Sequence, residues 1–167
     1  RWLDVALAAG RASPRRPRVV VDYTVVEPDA KTPKGRRSLA LDPASAPRFV
    51  EALRARHEGP VVIEPRHRSW LDAETLLQQA RIARVTADPA PFAEAARPGG
   101  WTGFRYYRLH GSPRIYYSAY GGERLASLTE HLAEAPKGVD TWCIFDNTAS
   151  GAAVADALHM QRLLGAH

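Results

Sequence analysis

The chain reads as an α/β protein: a partial TIM-type β/α barrel with about four C-terminal βα units and its N-terminal half missing. Three observations predict this. Four short apolar runs alternate with stretches of helical periodicity, the pattern of parallel strands joined by crossover helices. Each run stops at a polar cluster: Ile63 at Glu64-Pro65-Arg66-His67, Ala87 at Asp88-Pro89, Leu109 at His110-Gly111-Ser112-Pro113, and Phe145 at Asp146-Asn147-Thr148. Barrel chemistry sits at strand C-termini, so these clusters are the candidate site. Finally, a complete barrel takes about 250 residues, whereas this chain has 167, starts at Arg1 and has its one methionine at Met160. A fragment or truncated product is the expectation.

The elements follow in order. Residues 1–37 form a basic, Pro-rich segment of unclear structure, separated from the barrel-like residues 38–167. Within it, Trp2–Ala9 suits a short helix and Arg18–Glu27 alternates like a strand. Asp42-Pro43 suits an N-cap and first helical turn, and Ala46, Phe49, Val50 and Leu53 recur at helical spacing, so a helix is expected over 43–57. Gly59-Pro60 ends it, and the first strand follows. Ser69-Trp70-Leu71-Asp72 has the form of a capping box opening a helix to about Ala80. A strand over 84–88 leads into a Pro/Gly-rich loop. The next strand, 104–110, precedes a tyrosine loop and a helix bearing Leu125, Leu128 and Leu132. Strand 141–146 feeds a final helix from Ala149 to Leu164.

Charge narrows the classes of function. The net charge is +5, but residues 1–41 hold nine Lys/Arg against four Asp/Glu, while residues 42–167 hold fourteen of each. The excess is local, and the barrel-like part has no electrostatic footprint for nucleic acid. A single cysteine, Cys143, excludes a disulfide framework and a cysteine-based zinc motif; it sits inside an apolar run, so no disulfide-linked partner is expected. With no long apolar stretch, a non-membrane, reducing, cytoplasmic setting is expected.

In a parallel barrel Glu64, Asp88, His110 and Asp146 converge on one cavity, with Arg66, His67, Arg108 and Asn147 beside them. Arg108 and His110 are two apart and share a strand face with Tyr106. An arginine on the inner face needs a partner, and Glu64 or Asp146 is the obvious one. Three chemistries suit these residues. Glu64, Asp88, His110 and Asp146 have the donors for a divalent metal. Glu64, His110 and Asp146 suit metal-free acid–base catalysis. Arg66, Arg108 and the backbone amides of Gly111-Ser112 suit anion binding, His67 and Asn147 are further substrate-binding candidates, and Tyr116, Tyr117 and Tyr120 suit a platform for a sugar or base. Capping by Asn147 and Thr148, a salt-bridged rim of Glu64, Arg66 and His67, and ordinary tyrosine packing compete with these roles. No fixed-spacing catalytic motif is present.

The segments Ile63-Glu64-Pro65-Arg66-His67-Arg68-Ser69-Trp70, Tyr107-Arg108-Leu109-His110-Gly111-Ser112-Pro113 and Cys143-Ile144-Phe145-Asp146-Asn147-Thr148 resemble the YecE-like family, domain of unknown function 72. Tyr116, Tyr117 and Tyr120 also match that family's tyrosines. The resemblance covers residues 38–167 and implies a β/α barrel whose activity is not established. The leading expectation is a barrel enzyme, a hydrolase or isomerase with or without metal, acting on a phosphate- or hydroxyl-rich small molecule or nucleic acid. The alternatives are a non-catalytic ligand- or nucleic-acid-binding module and an inactive truncated remnant.

Overall fold

A computed structural model describes residue 42 and residues 44–165 in full, and the backbone of four N-terminal strands. The chain divides into two units, Arg1–Arg37 and Ser38–His167.

In the first unit β1 (Asp4–Ala8) pairs antiparallel with β2 (Arg11–Arg15), and β3 (Val19–Val21) pairs antiparallel with β4 (Thr24–Val26). Both expectations for this region are corrected. Asp4–Ala8 is a strand rather than helix, with Val5 and Leu7 at period two, and the single strand over 18–27 is two short ones.

The second unit opens with α1 (Ser45–Arg54), shorter than the expected 43–57. The carboxylate of Asp42 accepts from the Ala44 N–H at 3.2 Å, while Pro43 lies outside the described residues. Ala46 and Val50 bury the inner stripe of α1, but Phe49 stays 52% exposed. After β5 (Val61–Ile63), the expected helix splits into a 3₁₀ segment, Arg68–Ala73, and α2 (Glu74–Gln79). His67, not Ser69, caps it, accepting the Ser69 N–H at Nδ1.

The next strand begins at Ile82 and is broken once. β6 (Ile82–Arg84) and β7 (Thr86–Asp88) flank Val85, whose N–H donates to the Ile63 carbonyl at 2.9 Å. β6 pairs parallel with β5, and β7 pairs parallel with β9 (Phe104–Leu109). β9 pairs parallel with β10 (Asp140–Phe145). Parallel strands therefore follow one another in chain order: β5, β6–β7, β9, β10. A short β8 (Gly99–Gly100) adds an antiparallel edge to β6.

Helices α3 (Gly122–Ala133) and α4 (Ala152–Gly165) pack on one face of β9 and β10. Tyr107, Leu109, Leu125, Leu128, Leu132 and Met160 form that core, joined by Cys143 and Phe145. Val50, Leu77 and Ile82 form a second core with Val61, Ile63 and Trp70. Burial holds the Cys143 thiol protonated, pushing its pKa up to about 12. Among the described residues, no helix is long and apolar enough to cross a membrane.

Leu125 is fully buried and Val154 is 69% exposed. Leu125→Ala should therefore lower the unfolding free energy by about 3 kcal/mol, and Val154→Ala should change it by less than about 0.5 kcal/mol. Denaturant titration of the two variants measures the contrast.

Candidate active site

Strand pleat decides which strand-end residues meet. Tyr107, Leu109, Cys143 and Phe145 face the helices, so Tyr106, Arg108, His110, Trp142, Ile144 and Asp146 face the other side of the sheet. Val61, Ile63 and Ile82 likewise point to the helices, which turns Val62, Glu64 and Val85 to the same inner face. The ladder continues past the strand ends. The His110 N–H donates to the Asp88 carbonyl at 2.7 Å, and the Asp146 N–H donates to the Leu109 carbonyl at 2.9 Å. The backbones of both site residues are thus fixed by sheet bonding rather than by free loops.

On that face Glu64, Arg108, Asp146 and His110 close a ring. Arg108 Nη1 donates to Glu64 Oε2 at 2.6 Å, and Arg108 Nε donates to Asp146 Oδ2 at 3.0 Å. His110 Nδ1 lies 2.8 Å from the same Asp146 oxygen, and His110 Nε2 lies 2.8 Å from Glu64 Oε1. Arg66 Nη2 reaches Glu64 Oε1 from outside at 2.9 Å. Arg108 spans from β9 to the end of β5 across an intervening strand, two spacings or about 10 Å of sheet. Ala87 is the residue in register beneath it, and a methyl group there leaves the path open.

The ring fixes charge as well as geometry. Ionised carboxylates only accept hydrogen bonds, so an imidazole facing one at each nitrogen must donate from both and be an imidazolium. Burial works against that charge, but the hydrogen bonds to Asp146 and Glu64 and their negative charges outweigh it and raise the His110 pKa above 6.5. Burial also works against the Glu64 carboxylate. The His110 hydrogen bond and the charges of Arg108 and Arg66 prevail and lower its pKa from 4.5 to about 2. Arg108 follows the same balance, with burial outweighed by Glu64 and Asp146. Exposure grades outward: the side chains of His110 and Asp146 are 2% exposed, Glu64 12%, Arg108 33% and Arg66 51%. Anything arriving from solvent meets the arginines first.

The loop after β9 packs against this ring. Tyr116 has φ +69°, in the left-handed region that a tyrosine rarely adopts. Its N–H donates to the His110 carbonyl at 2.6 Å and its carbonyl accepts from Ala149 at 2.9 Å, so both sides of the residue are pinned. Its ring meets His110 edge-on at 5.8 Å. Gly111 has φ +91°, and a Cβ there would lie 2.7 Å from the Ser118 carbonyl oxygen.

Other candidates are engaged elsewhere. Asp88 lies in register with Leu109, on the helix face, and pairs with Arg124 of α3 at 2.6 Å. Tyr120 is buried; its hydroxyl accepts from the Gly111 N–H and donates to the Asp88 carbonyl, both at 2.9 Å. Asn147 is buried and donates to the Ser118 carbonyl and to Asp156. His67 serves as the cap described above, while Tyr117 is 46% exposed with the Arg114 guanidinium over its ring at 3.8 Å. Sequence reasoning missed Arg124, and it missed Asp156, a buried carboxylate on α4 beside Ala153 and Met160. A lone acid on the apolar face of a helix was the available signal for Asp156.

The four-residue metal set is not assembled, because Asp88 is turned to the opposite face. Of the remaining donors, His110 has both nitrogens against carboxylates and no lone pair free for a cation. Among the described residues, no group of three or more His, Cys, Asp or Glu side chains is placed to hold a metal ion.

The shifts predict two limbs in stability against pH. The Glu64 contribution is complete above its usual 4.5 and is lost as pH falls toward 2. The His110 contribution is complete below its usual 6.5 and is lost as pH rises through its raised folded value. Glu64→Gln should flatten the acid limb and His110→Gln the alkaline one, read from unfolding midpoints across pH. An NMR titration of the His110 ring should give a midpoint above 6.5.

Solved structures share the fold of this chain. A protein from Thermotoga maritima described as a DUF72 family protein is 24% identical, with a TM-score of 0.65 over 75% of this chain and 54% of its own. A DUF72 family protein from Enterococcus faecalis gives a TM-score of 0.63 at 19% identity, over 76% of this chain and 57% of its own. The chain thus spans little more than half the length of these structures, and what they share with it is the fold. No curated protein matches the chain. The family model described as "Protein of unknown function DUF72" matches residues 37–167, and the chain belongs to that family.

Proposed function

We propose that β5 to β10 are the C-terminal units of a β/α barrel, and that their strand ends carry an acid–base site for a phosphate- or hydroxyl-rich substrate. The supporting observation is the closed ring of Glu64, Arg108, Asp146 and His110, which puts a proton donor, two acceptors and an anion-binding group on one sheet face. The sequential order of the parallel strands supports the barrel reading.

At rest Glu64 occupies the two arginines. A substrate phosphate or carboxylate competes for Arg66 and Arg108, which bind such groups in a bidentate manner. As they turn to the substrate, Glu64 keeps the His110 hydrogen bond but loses the two arginine charges that help hold its pKa down, and its basicity rises. The His110 proton then passes along the 2.8 Å Nε2–Oε1 hydrogen bond to Glu64, which protonates the substrate oxygen. In hydrolysis the bond from that oxygen to phosphorus breaks as water attacks, and the proton that water loses returns through Glu64 to His110; in isomerisation the returned proton is the one the substrate carbon gives up. Asp146, behind the imidazole, is a positioning residue that keeps His110 oriented and charged. Tyr116 shields the edge of the ring. The reaction class is hydrolysis or isomerisation by proton transfer, with no step routed through a metal. A second reading, a non-catalytic module gripping a small molecule or a nucleic-acid strand, draws on the exposed Tyr116 and on the Arg114–Tyr117 stack.

A panel of sugar phosphates and phosphate monoesters, assayed for turnover and for binding by calorimetry, tests the proposal. The enzyme reading expects turnover that falls by about 10²- to 10⁴-fold in Glu64→Gln and in His110→Gln. Arg66→Gln should act mainly on KM. Binding without turnover, unchanged in Glu64→Gln, would favour the binding module. A folded chain with neither binding nor turnover overturns both readings.

A further inference from the structure

The connection from β7 to β9 carries no α-helix. It holds only β8 and one 3₁₀ turn, Ala93–Ala96, so beside α3 the helix-facing side of β7 is covered by no helix, only by that short turn. The result is a cavity of about 510 Å³, on the opposite side of the sheet from the Glu64–His110 ring. That volume lies within the range of small-molecule sites, about 300–1,000 Å³.

The cavity is graded. Its floor is buried and mostly apolar, with Leu109 and Leu128 joined by Tyr107 and Thr86. The Thr86 hydroxyl is buried and has no hydrogen-bond partner among the described residues. The rim is charged. Arg97, Arg105, Arg124 and His131 line it against only two carboxylates, Asp88 and Glu134. Asp88 is already paired with Arg124, and Arg105 hydrogen-bonds the Tyr107 side chain, so the rim holds four basic side chains against two carboxylates, one of them engaged.

We propose that this cavity is a second ligand site, which takes a small organic anion: a carboxylate or phosphate head on a short apolar body. The body lies on Leu109 and Leu128, and the head sits at the rim with Arg97 and Arg105. An inorganic anion would leave the apolar floor wet. A neutral apolar molecule would leave the rim arginines without a counter-charge. Only the combined chemistry satisfies both zones.

Hexyl phosphate is the probe, titrated calorimetrically into the full chain beside inorganic phosphate and hexan-1-ol. Hexyl phosphate should bind at least about tenfold more tightly than either fragment, because six methylene-sized groups leave water along with the charged head. Ala96 lines the cavity from an exposed position, so Ala96→Trp fills the space without disturbing the core and should abolish binding. Arg97→Gln, also at an exposed position, should weaken it about tenfold, since hydrogen bonds to charged groups are the stronger class. Arg66→Gln, on the other face, should leave it unchanged. Inorganic phosphate binding the Arg66→Gln chain as tightly as hexyl phosphate does would overturn the proposal. Binding that survives Ala96→Trp, or that is lost with Arg66→Gln, would also overturn it. A negative result here leaves the Glu64–His110 reading untouched, because the two sites lie on opposite sheet faces.

Discussion

An imidazole held between two carboxylates, with no neutral donor to share the load, is the constraint on which the inner face of this sheet depends. His110 sits 2.8 Å from both Asp146 and Glu64, and with both carboxylates ionised that geometry requires the ring to be doubly protonated. Two carboxylates and one imidazolium would still leave a buried negative excess. Arg108, threaded across the sheet from β9, removes it by contacting the same two carboxylates. Each member of the ring therefore makes another affordable. A site of this kind fails as a unit, because removing one partner leaves a charge on the nearly buried Asp146 or His110 uncompensated.

The sheet supplies the exactness the ring requires. Arg108 and His110 share a face by parity alone, and the register of β9 with β10 brings Asp146 level with His110. Glu64 arrives from two strands away, and the residue between is an alanine. A larger side chain at Ala87 would stand in the path of Arg108. The small residue that looks like filler in the sequence is thus what lets a long side chain lie flat across the sheet.

Much of this was legible before the structure. The order of strands and helices follows from periodicity and turn residues, and the partnership of Arg108 with Glu64 and Asp146 follows from the cost of an unpaired inner arginine. Asp88 shows where such reading stops. Both faces of residues 82–87 are buried, so no alternation of polarity marks the inner side, and only the pairing of Thr86 with Tyr107 assigns Asp88 to the helices. Tyr120 reads like its neighbours Tyr116 and Tyr117, but its hydroxyl closes a backbone junction. The left-handed backbone of Tyr116 has no sequence signal, since that conformation is ordinarily marked by glycine or asparagine. The β1 segment misled because five residues are too few to separate a period of 2 from one of 3.6.

The loops that follow β9 and β10 are sewn to each other. Ala149 donates to the Tyr116 carbonyl, Asn147 to the Ser118 carbonyl and Ser150 to the Tyr117 carbonyl, while Asp156 holds both Asn147 and the Tyr120 N–H. The two loops are consequently one thermodynamic body. The free energy of a change in one cannot be added to that of a change in the other, and the wall of the site opens or stays shut as a whole.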